Sequence, residues 1–249
     1  MTDIPEQDLW SAISTTEFEL ERASGRKSSV AAMAEVLDSL DLASPERRIN
    51  LALKRVMDVV GSLVALTLLA PLLVAVAVAI RLESHGPVLF VQERWGKDRK
   101  RIRVIKFRSM HAHACDHTGI AQTVEGDERV TRLGAFLRKT NIDELPQLIN
   151  VLRGDMSLVG PRCHVVGMQA GGMDYEALVP HYHLRHTMRP GLTGLAQMRG
   201  LRGPTSDPGR AIRRVHADLE YIVTFNVVQD IVICLRTAWH EVFGGGRGV

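Results

Sequence analysis

The chain is poor in aromatic residues: Phe, Trp and Tyr make up 5% of its 249 residues. It also carries no recognised nucleic-acid-binding motif, so nucleic acid is excluded as a partner. Cysteine is scarce. Cys115, Cys163 and Cys234 are odd in number and far apart, which rules out a disulfide framework or a C-x-x-C pair and reads as reduced cytosolic thiols. The N-terminus is acidic and polar, and no signal-peptide pattern opens the chain, so no cleaved leader is expected.

One stretch lacks charge altogether. Val59–Ile80 is 22 residues without an ionisable side chain, and Pro71 sits near its middle. A straight helix of that length reaches about 33 Å, against a bilayer core of about 30 Å. Proline removes a backbone donor and clashes with the preceding turn. In hydrocarbon the freed groups need new partners. The run therefore reads either as a kinked span or as a helix that bends and returns. Arg47, Arg48, Lys54 and Arg55 precede it; Arg81, Arg94, Lys97, Arg99, Lys100, Arg101, Arg103, Lys106 and Arg108 follow. Basic residues collect on cytoplasmic flanks, and two basic flanks favour re-entry slightly.

Net charge is +3, unevenly spread. Residues 1–50 hold ten acidic and five basic side chains, so the remainder carries +8. A basic body beside an apolar segment suits an anionic membrane surface or a phosphate-bearing ligand.

The expected fold class is α+β and mostly helical. Residues 1–46 read as an appendage, with amphipathic stretches at Glu6–Arg22 and Val30–Leu42 around the Ser24–Ser29 linker. Residues 47–84 read as the membrane helix, 85–243 as a catalytic domain and 244–249 as a disordered tail. Val88–Val91 and Arg101–Phe107 read as a β-hairpin turning at Gly96–Arg99. His111–Asp127 reads as loop; Val130–Lys139, Pro146–Leu152, Val215–Phe225 and Val228–Phe243 read as helices. In the last, Ile231, Leu235, Ala238, Trp239 and Val242 share a side, which fits an interfacial helix or ordinary core packing equally well.

Asp143 and Glu144 are adjacent carboxylates. Such a pair can hold a divalent cation, or divide the roles of nucleophile and acid–base group. Asn141 with Glu144 three residues on also resembles a capping box, and Pro146 suits a first helical turn. Both readings stay open at this level. Gly160-Pro161-Arg162 and Arg189-Pro190-Gly191-Leu192-Thr193-Gly194 are compact turns that could aim amides and guanidinium groups at phosphate. Lys106 and Arg108 flank Phe107 and suit phosphate or headgroups. His111, His113, Cys115 and His117 are soft-metal ligand types, but their spacing matches no common zinc site.

The motifs in combination resemble a known family. Lys54-Arg55-x-x-Asp58 precedes the apolar run, and Gly86-Pro87-Val88-Leu89-Phe90-Val91-Gln92-Glu93-Arg94 follows it. Then come Lys106-Phe107-Arg108-Ser109-Met110, Thr131-Arg132-Leu133-Gly134, Leu137-Arg138-Lys139-Thr140 and Asp143-Glu144-Leu145-Pro146-Gln147. Asn150-Val151-Leu152-x-Gly154, Met156-Ser157-Leu158-Val159-Gly160-Pro161-Arg162 and Arg185-His186-x-x-Arg189-Pro190-Gly191-x-Thr193-Gly194-x-Ala196-Gln197 complete the series. In this order, over residues 50–240, they resemble the bacterial sugar transferases: monotopic phosphoglycosyl transferases acting on polyprenyl phosphate.

The resemblance implies transfer of a sugar 1-phosphate from a UDP-sugar to undecaprenyl phosphate, with UMP released and Mg²⁺ required. It starts polysaccharide or glycoconjugate assembly. It implies a proline-broken re-entrant helix at Pro71, and a body on the cytoplasmic face of the bacterial inner membrane, in contact with its lipids. It implies a phosphosugar bound to Asp143, with Glu144 sharing the metal or handling a proton. Lys106, Arg108, Arg138, Arg162, Arg189 and Asp218 fall at positions expected to face substrate. The sugar is expected to be a hexose; oligomeric state stays open, a homodimer included. Three departures stand out: Ala70 precedes Pro71 where the family has serine, Cys163 replaces a proline, and Leu201 stands where an arginine is usual. Arg199 or Arg202 could replace that arginine. A catalytically inactive scaffold or regulator of the same fold is the alternative.

Overall fold

The computed structural model describes residues 34–37, 39, 44–116, 118, 123, 126–201, 203 and 207–243. The chain is mostly helical, with three small two-stranded sheets among these residues. Expectations for residues 1–33 and for the tail at 244–249 lie outside the described residues. Leu37, in the segment read as an appendage, is buried in the main core.

Helix α1 runs over Pro45–Glu83 and is long and apolar enough to cross a membrane. Ser44 caps it, its hydroxyl accepting from the Arg47 N–H, and proline occupies the first turn, where no donor is lost. Helical structure continues through Pro71. Both ends of α1 rest on the body. Near the start, Arg47 donates to the Ile222 carbonyl at 2.8 Å, Lys54 to that of Val159 at 2.7 Å, and Arg55 to Val151 at 2.7 Å and Leu152 at 2.9 Å. Asp58 accepts from the Ser157 hydroxyl and the Leu158 N–H, both at 2.9 Å. Near the end, Val76 and Ile80 pack with Phe107 and Leu137. Between these arms Val64, Leu68 and Val74 are exposed. Lys54 and Arg55, which the sequence offers as a basic flank, thus staple α1 to the body, Lys54 buried and Arg55 half-buried.

The hairpin forms, but its first strand runs to Trp95 rather than ending at Val91, because Gln92–Trp95 all pair with β2. Strand β1 (Leu89–Trp95) pairs antiparallel with β2 (Arg101–Phe107), Leu89 opposite Phe107 and Trp95 opposite Arg101. Helix α2 (Arg132–Lys139) starts from a Thr131 cap. A single 3₁₀ turn at Ile142–Glu144 leads to α3 (Gln147–Arg153). Strand β3 (Ser157–Val159) runs parallel to β6 (Gly191–Thr193). The sequence reading treated both flanking segments only as turns. Three-residue strands are too short to show alternation, and glycine hides them. A Cβ on Gly191 would lie 2.1 Å from the Gly160 nitrogen, so the two backbones need this glycine to approach. Between them lie β4 (Gln169–Ala170), β5 (Met173–Asp174) and α4 (Tyr175–Leu178).

After the short α5 (Leu195–Met198) comes α6, which runs over Pro208–Thr224 and starts seven residues earlier than expected. The signal was Asp207-Pro208: the Asp207 carboxylate accepts from the Gly209 and Arg210 N–H groups, and Pro208 takes the first turn. Helix α7 is Val227–Phe243. Its apolar stripe points outward: Val228, Ile231, Leu235 and Trp239 are exposed, while Asp230 is buried against Lys54. Of the two readings of that stripe, core packing is therefore ruled out for Ile231, Leu235 and Trp239.

Candidate active site

A cavity of about 600 Å³ opens between the hairpin, the 3₁₀ turn, the β3–β6 pair and helices α6 and α7. Lys106, Arg138, Asp143, Glu144 and Arg162 line it. Each arrives from a different element: Lys106 from β2, Arg138 from the last turn of α2, the two carboxylates from the 3₁₀ turn, and Arg162 from just beyond β3.

The capping reading of Glu144 fails. Asn141 has a left-handed backbone (φ 54°) and its side chain makes no cap hydrogen bond. Glu144 instead accepts from Lys106 Nζ at 2.7 Å and from both terminal nitrogens of Arg162, at 2.6 and 3.2 Å. Burial would raise its pKa, but Arg162 and Lys106 together override this and hold the carboxyl well below its ordinary range. Glu144 is a fixed anion whose two oxygens are both engaged.

Asp143 differs. It is buried, and among the described residues no hydrogen bond or ion pair reaches its carboxylate. Burial pushes its pKa up to about 6; Lys106 pulls it back and Glu144 adds to the rise. Two neighbouring carboxylates thus differ sharply, one neutralised by cations and one uncommitted at the cavity wall. An uncommitted carboxylate ringed by cations is the arrangement a nucleophile toward a phosphorus centre needs.

The other expected site residues fall elsewhere. Arg108 is buried outside the cavity lining and donates to the Ser84 carbonyl and hydroxyl and to the His85 carbonyl, tying the end of α1 to β2. Arg189 donates to the Gly154 carbonyl at the end of α3. Asp218 is buried against Arg185, whose guanidinium also holds the Arg162 carbonyl. Arg199 pairs with Glu220 on the exposed side. Arg202 lies outside the described residues. Leu201 does line the cavity, and Arg214 of α6 donates to its carbonyl. Sequence reasoning missed Arg214, although it falls on the stripe Ala211, Val215, Asp218 that α6 buries.

His111 and His113 stack at 5.7 Å, but no cluster of three metal-ligating side chains forms among the described residues. His117 lies outside them.

One buried histidine lies outside the cavity lining. His186 is buried beside Trp95 and Tyr182, and among the described residues neither ring nitrogen finds a hydrogen-bond partner. Burial first, then Arg185, lowers its pKa from 6.5 to about 3. The folded ring stays neutral while the unfolded one takes a proton below pH 6.5. Its contribution to stability is therefore complete above pH 6.5 and is lost between 6.5 and about 3. The slope is about 1.4 kcal/mol per pH unit for one such group. Melting curves taken from pH 7 to 5 should fall more steeply for wild type than for His186→Phe; parallel curves would mean the folded ring is protonated.

The description of the matching family model is bacterial sugar transferase, and it covers residues 49–244. The exopolysaccharide production protein PSS of Rhizobium leguminosarum bv. phaseoli is 59% identical over 196 residues, 79% of this chain and 98% of that protein. A UDP-glucose:undecaprenyl-phosphate glucose-1-phosphate transferase of Caulobacter vibrioides is 50% identical over 184 residues, 74% of this chain and 67% of that protein. A UDP-N-acetylgalactosamine-undecaprenyl-phosphate N-acetylgalactosaminephosphotransferase of Aeromonas hydrophila is 42% identical over 186 residues, 74% of this chain and 42% of that protein. By residues matched and by identity, the chain belongs to the bacterial sugar transferase family and is a transferase.

Proposed function

We propose that this protein moves a sugar 1-phosphate from a UDP-sugar to undecaprenyl phosphate. The observation that carries the reading is the uncommitted Asp143 carboxylate beside Lys106, Arg138 and a Glu144 held by Arg162. In the first step an Asp143 oxygen attacks the phosphorus bearing the sugar. The bond to the bridging oxygen breaks, and its electron pair leaves on UMP. In the second step a phosphate oxygen of the lipid attacks the same phosphorus, Asp143 leaves with its electron pair, and undecaprenyl-diphosphate-sugar forms. Lys106, Arg138 and Arg162 offset the charge that would otherwise repel a carboxylate from a diphosphate.

Asp143, whose carboxylate is uncommitted, would be the first ligand of Mg²⁺, and Glu144 would share it by giving up a contact to Lys106 or Arg162. The donor set suits that ion, which is usually held by one or two carboxylates with phosphate and water oxygens completing the shell. Bound there, it would neutralise diphosphate charge. The sugar we assign is a hexose, with glucose first, since the names of relatives at 50%, 47% and 45% identity specify glucose.

Membrane association follows from α1 and from the outward apolar stripe of α7. We place the body on the cytoplasmic face, with α1 re-entrant about Pro71. Its two arms both rest on one body, at Lys54–Asp58 and at Val76–Ile80, and the exposed stretch around Leu68 lies between them. Tags at residues 1 and 249 should both be cytoplasmic; an external N-terminus would defeat re-entry.

The assay supplies Mg²⁺, undecaprenyl phosphate and a panel of UDP-sugars, and follows UMP. Turnover with a UDP-hexose is expected. No turnover with any member of the panel would favour the inactive-scaffold alternative.

A further inference from the structure

Arg214 is a buried cation that forms no ion pair among the described residues. It is 4% exposed, and it lines the cavity. Its Nε donates to the Leu201 carbonyl and an Nη to the Gly203 carbonyl, both at 3.0 Å. These bonds leave other guanidinium donors over. Among the described residues no carboxylate forms an ion pair with it. Asp218, one turn along α6, gives its Oδ2 to Arg185 instead. Burial first, then Arg162 and Arg185, disfavour the charge of Arg214, while Tyr175 and Asp218 favour it without balancing the loss.

Arginine cannot escape this by losing its proton. A buried charge without a partner is costly, so a site that keeps one has a use for it. Two more atoms belong to residues that line the cavity: among the described residues, His164 Nε2 and Gln197 Oε1 are buried without hydrogen-bond partners. The lining thus holds the carboxylates with Lys106 and Arg138, and it also holds Arg214, which forms no ion pair among the described residues, with His164 and Gln197.

We propose that Arg214 seats the phosphate of the departing nucleotide, the phosphate that leaves as UMP. This rests on the transfer reading above. When the bridging P–O bond breaks, the electron pair stays on the UMP phosphate, which gains a negative charge. Lys106 and Arg162 are tied to Glu144 beside the attacked phosphorus, so the leaving phosphate needs a separate cation. Arg214 supplies it. Its bonds to the Leu201 and Gly203 carbonyls hold the guanidinium in place. In this way Arg214 takes the role left open where Leu201 stands in place of an arginine.

The test measures UMP and uridine binding by calorimetry on the detergent-solubilised full chain, for wild type, Arg214→Gln and Arg214→Lys. Glutamine keeps amide donors for the two carbonyls but no charge; lysine keeps the charge. Arg214→Gln should weaken UMP binding about tenfold, the scale of one charge-assisted hydrogen bond. Uridine binding and the KM for undecaprenyl phosphate should stay the same, and Arg214→Lys should retain most of the UMP affinity. The proposal is overturned if UMP and uridine weaken together, if neither changes, or if lysine behaves as glutamine does. It is also overturned if the acceptor KM rises instead, or if only a UDP-sugar with a carboxylate on its sugar is affected. Binding is read without turnover, so an inactive wild type counts against the transfer reading alone, and unchanged UMP binding in Arg214→Gln counts against this inference alone.

Discussion

Asp143→Asn is expected to lower kcat for UMP release by at least about a thousandfold, the scale of losing a covalent nucleophile. Asparagine nearly preserves the shape of the side chain and removes the attacking oxygen's charge. The fold should survive, because no hydrogen bond to the Asp143 carboxylate is lost among the described residues. With a donor labelled in its sugar phosphate and no lipid acceptor, wild type should retain label on the protein and Asp143→Asn should not. Glu144→Gln should behave differently. It removes the anion that Lys106 and Arg162 converge on, so both cations lose their fixed positions and the fall in kcat/KM should come with a fall in melting temperature. Full turnover by Asp143→Asn would show that another group attacks phosphorus, and the roles of the two carboxylates would have to be reassigned.

The difference between these carboxylates was not legible locally. In the string Asn141-Ile142-Asp143-Glu144, a capping box and a catalytic pair look alike. What separates them is the left-handed backbone at Asn141 and the arrival of Lys106 and Arg162 from segments 38 and 18 residues away in sequence. Sequence carries local periodicity well, and so β2, α2 and α7 emerged close to their true bounds, whereas β1 runs four residues past its expected end at Val91. It carries the direction of a stripe poorly. Ile231, Leu235 and Trp239 fit a core as well as a membrane surface, and the burial of Asp230 against Lys54 and of Ile233 in the main core decides which way α7 faces. Short parallel strands were invisible because β3 and β6 recognise each other through glycines. The motif Lys54-Arg55-x-x-Asp58 was visible, but its meaning was not. Charged residues before an apolar run suggest topology, whereas here all three side chains fasten the run to the body.

Asp218 is the second case where position and role part, and the expected effect is on folding. Its Oδ2 accepts from Nε and Nη2 of Arg185, and both side chains are about 1% exposed. The same Nη2 holds the Arg162 carbonyl, and Nη1 of Arg185 donates to the Tyr182 hydroxyl. Asp218→Asn leaves a buried guanidinium without its counter-ion, at a cost of about 3–5 kcal/mol. For a chain of this size that corresponds to a melting-temperature drop on the order of 10 °C. Arg162 contacts Glu144, so the loss should also loosen the cation cluster and lower kcat/KM. The two readings of Asp218 separate on this result. A group that touches substrate would raise KM with little change in melting temperature. A group that positions Arg162 through Arg185 would lower melting temperature and kcat/KM together. Replacing Arg185 and Asp218 together by methionine and leucine should recover part of the lost stability, because neither member of this pair is then left as an unpaired buried charge. Activity should not return with it, since the Arg162 carbonyl would still lack its donor.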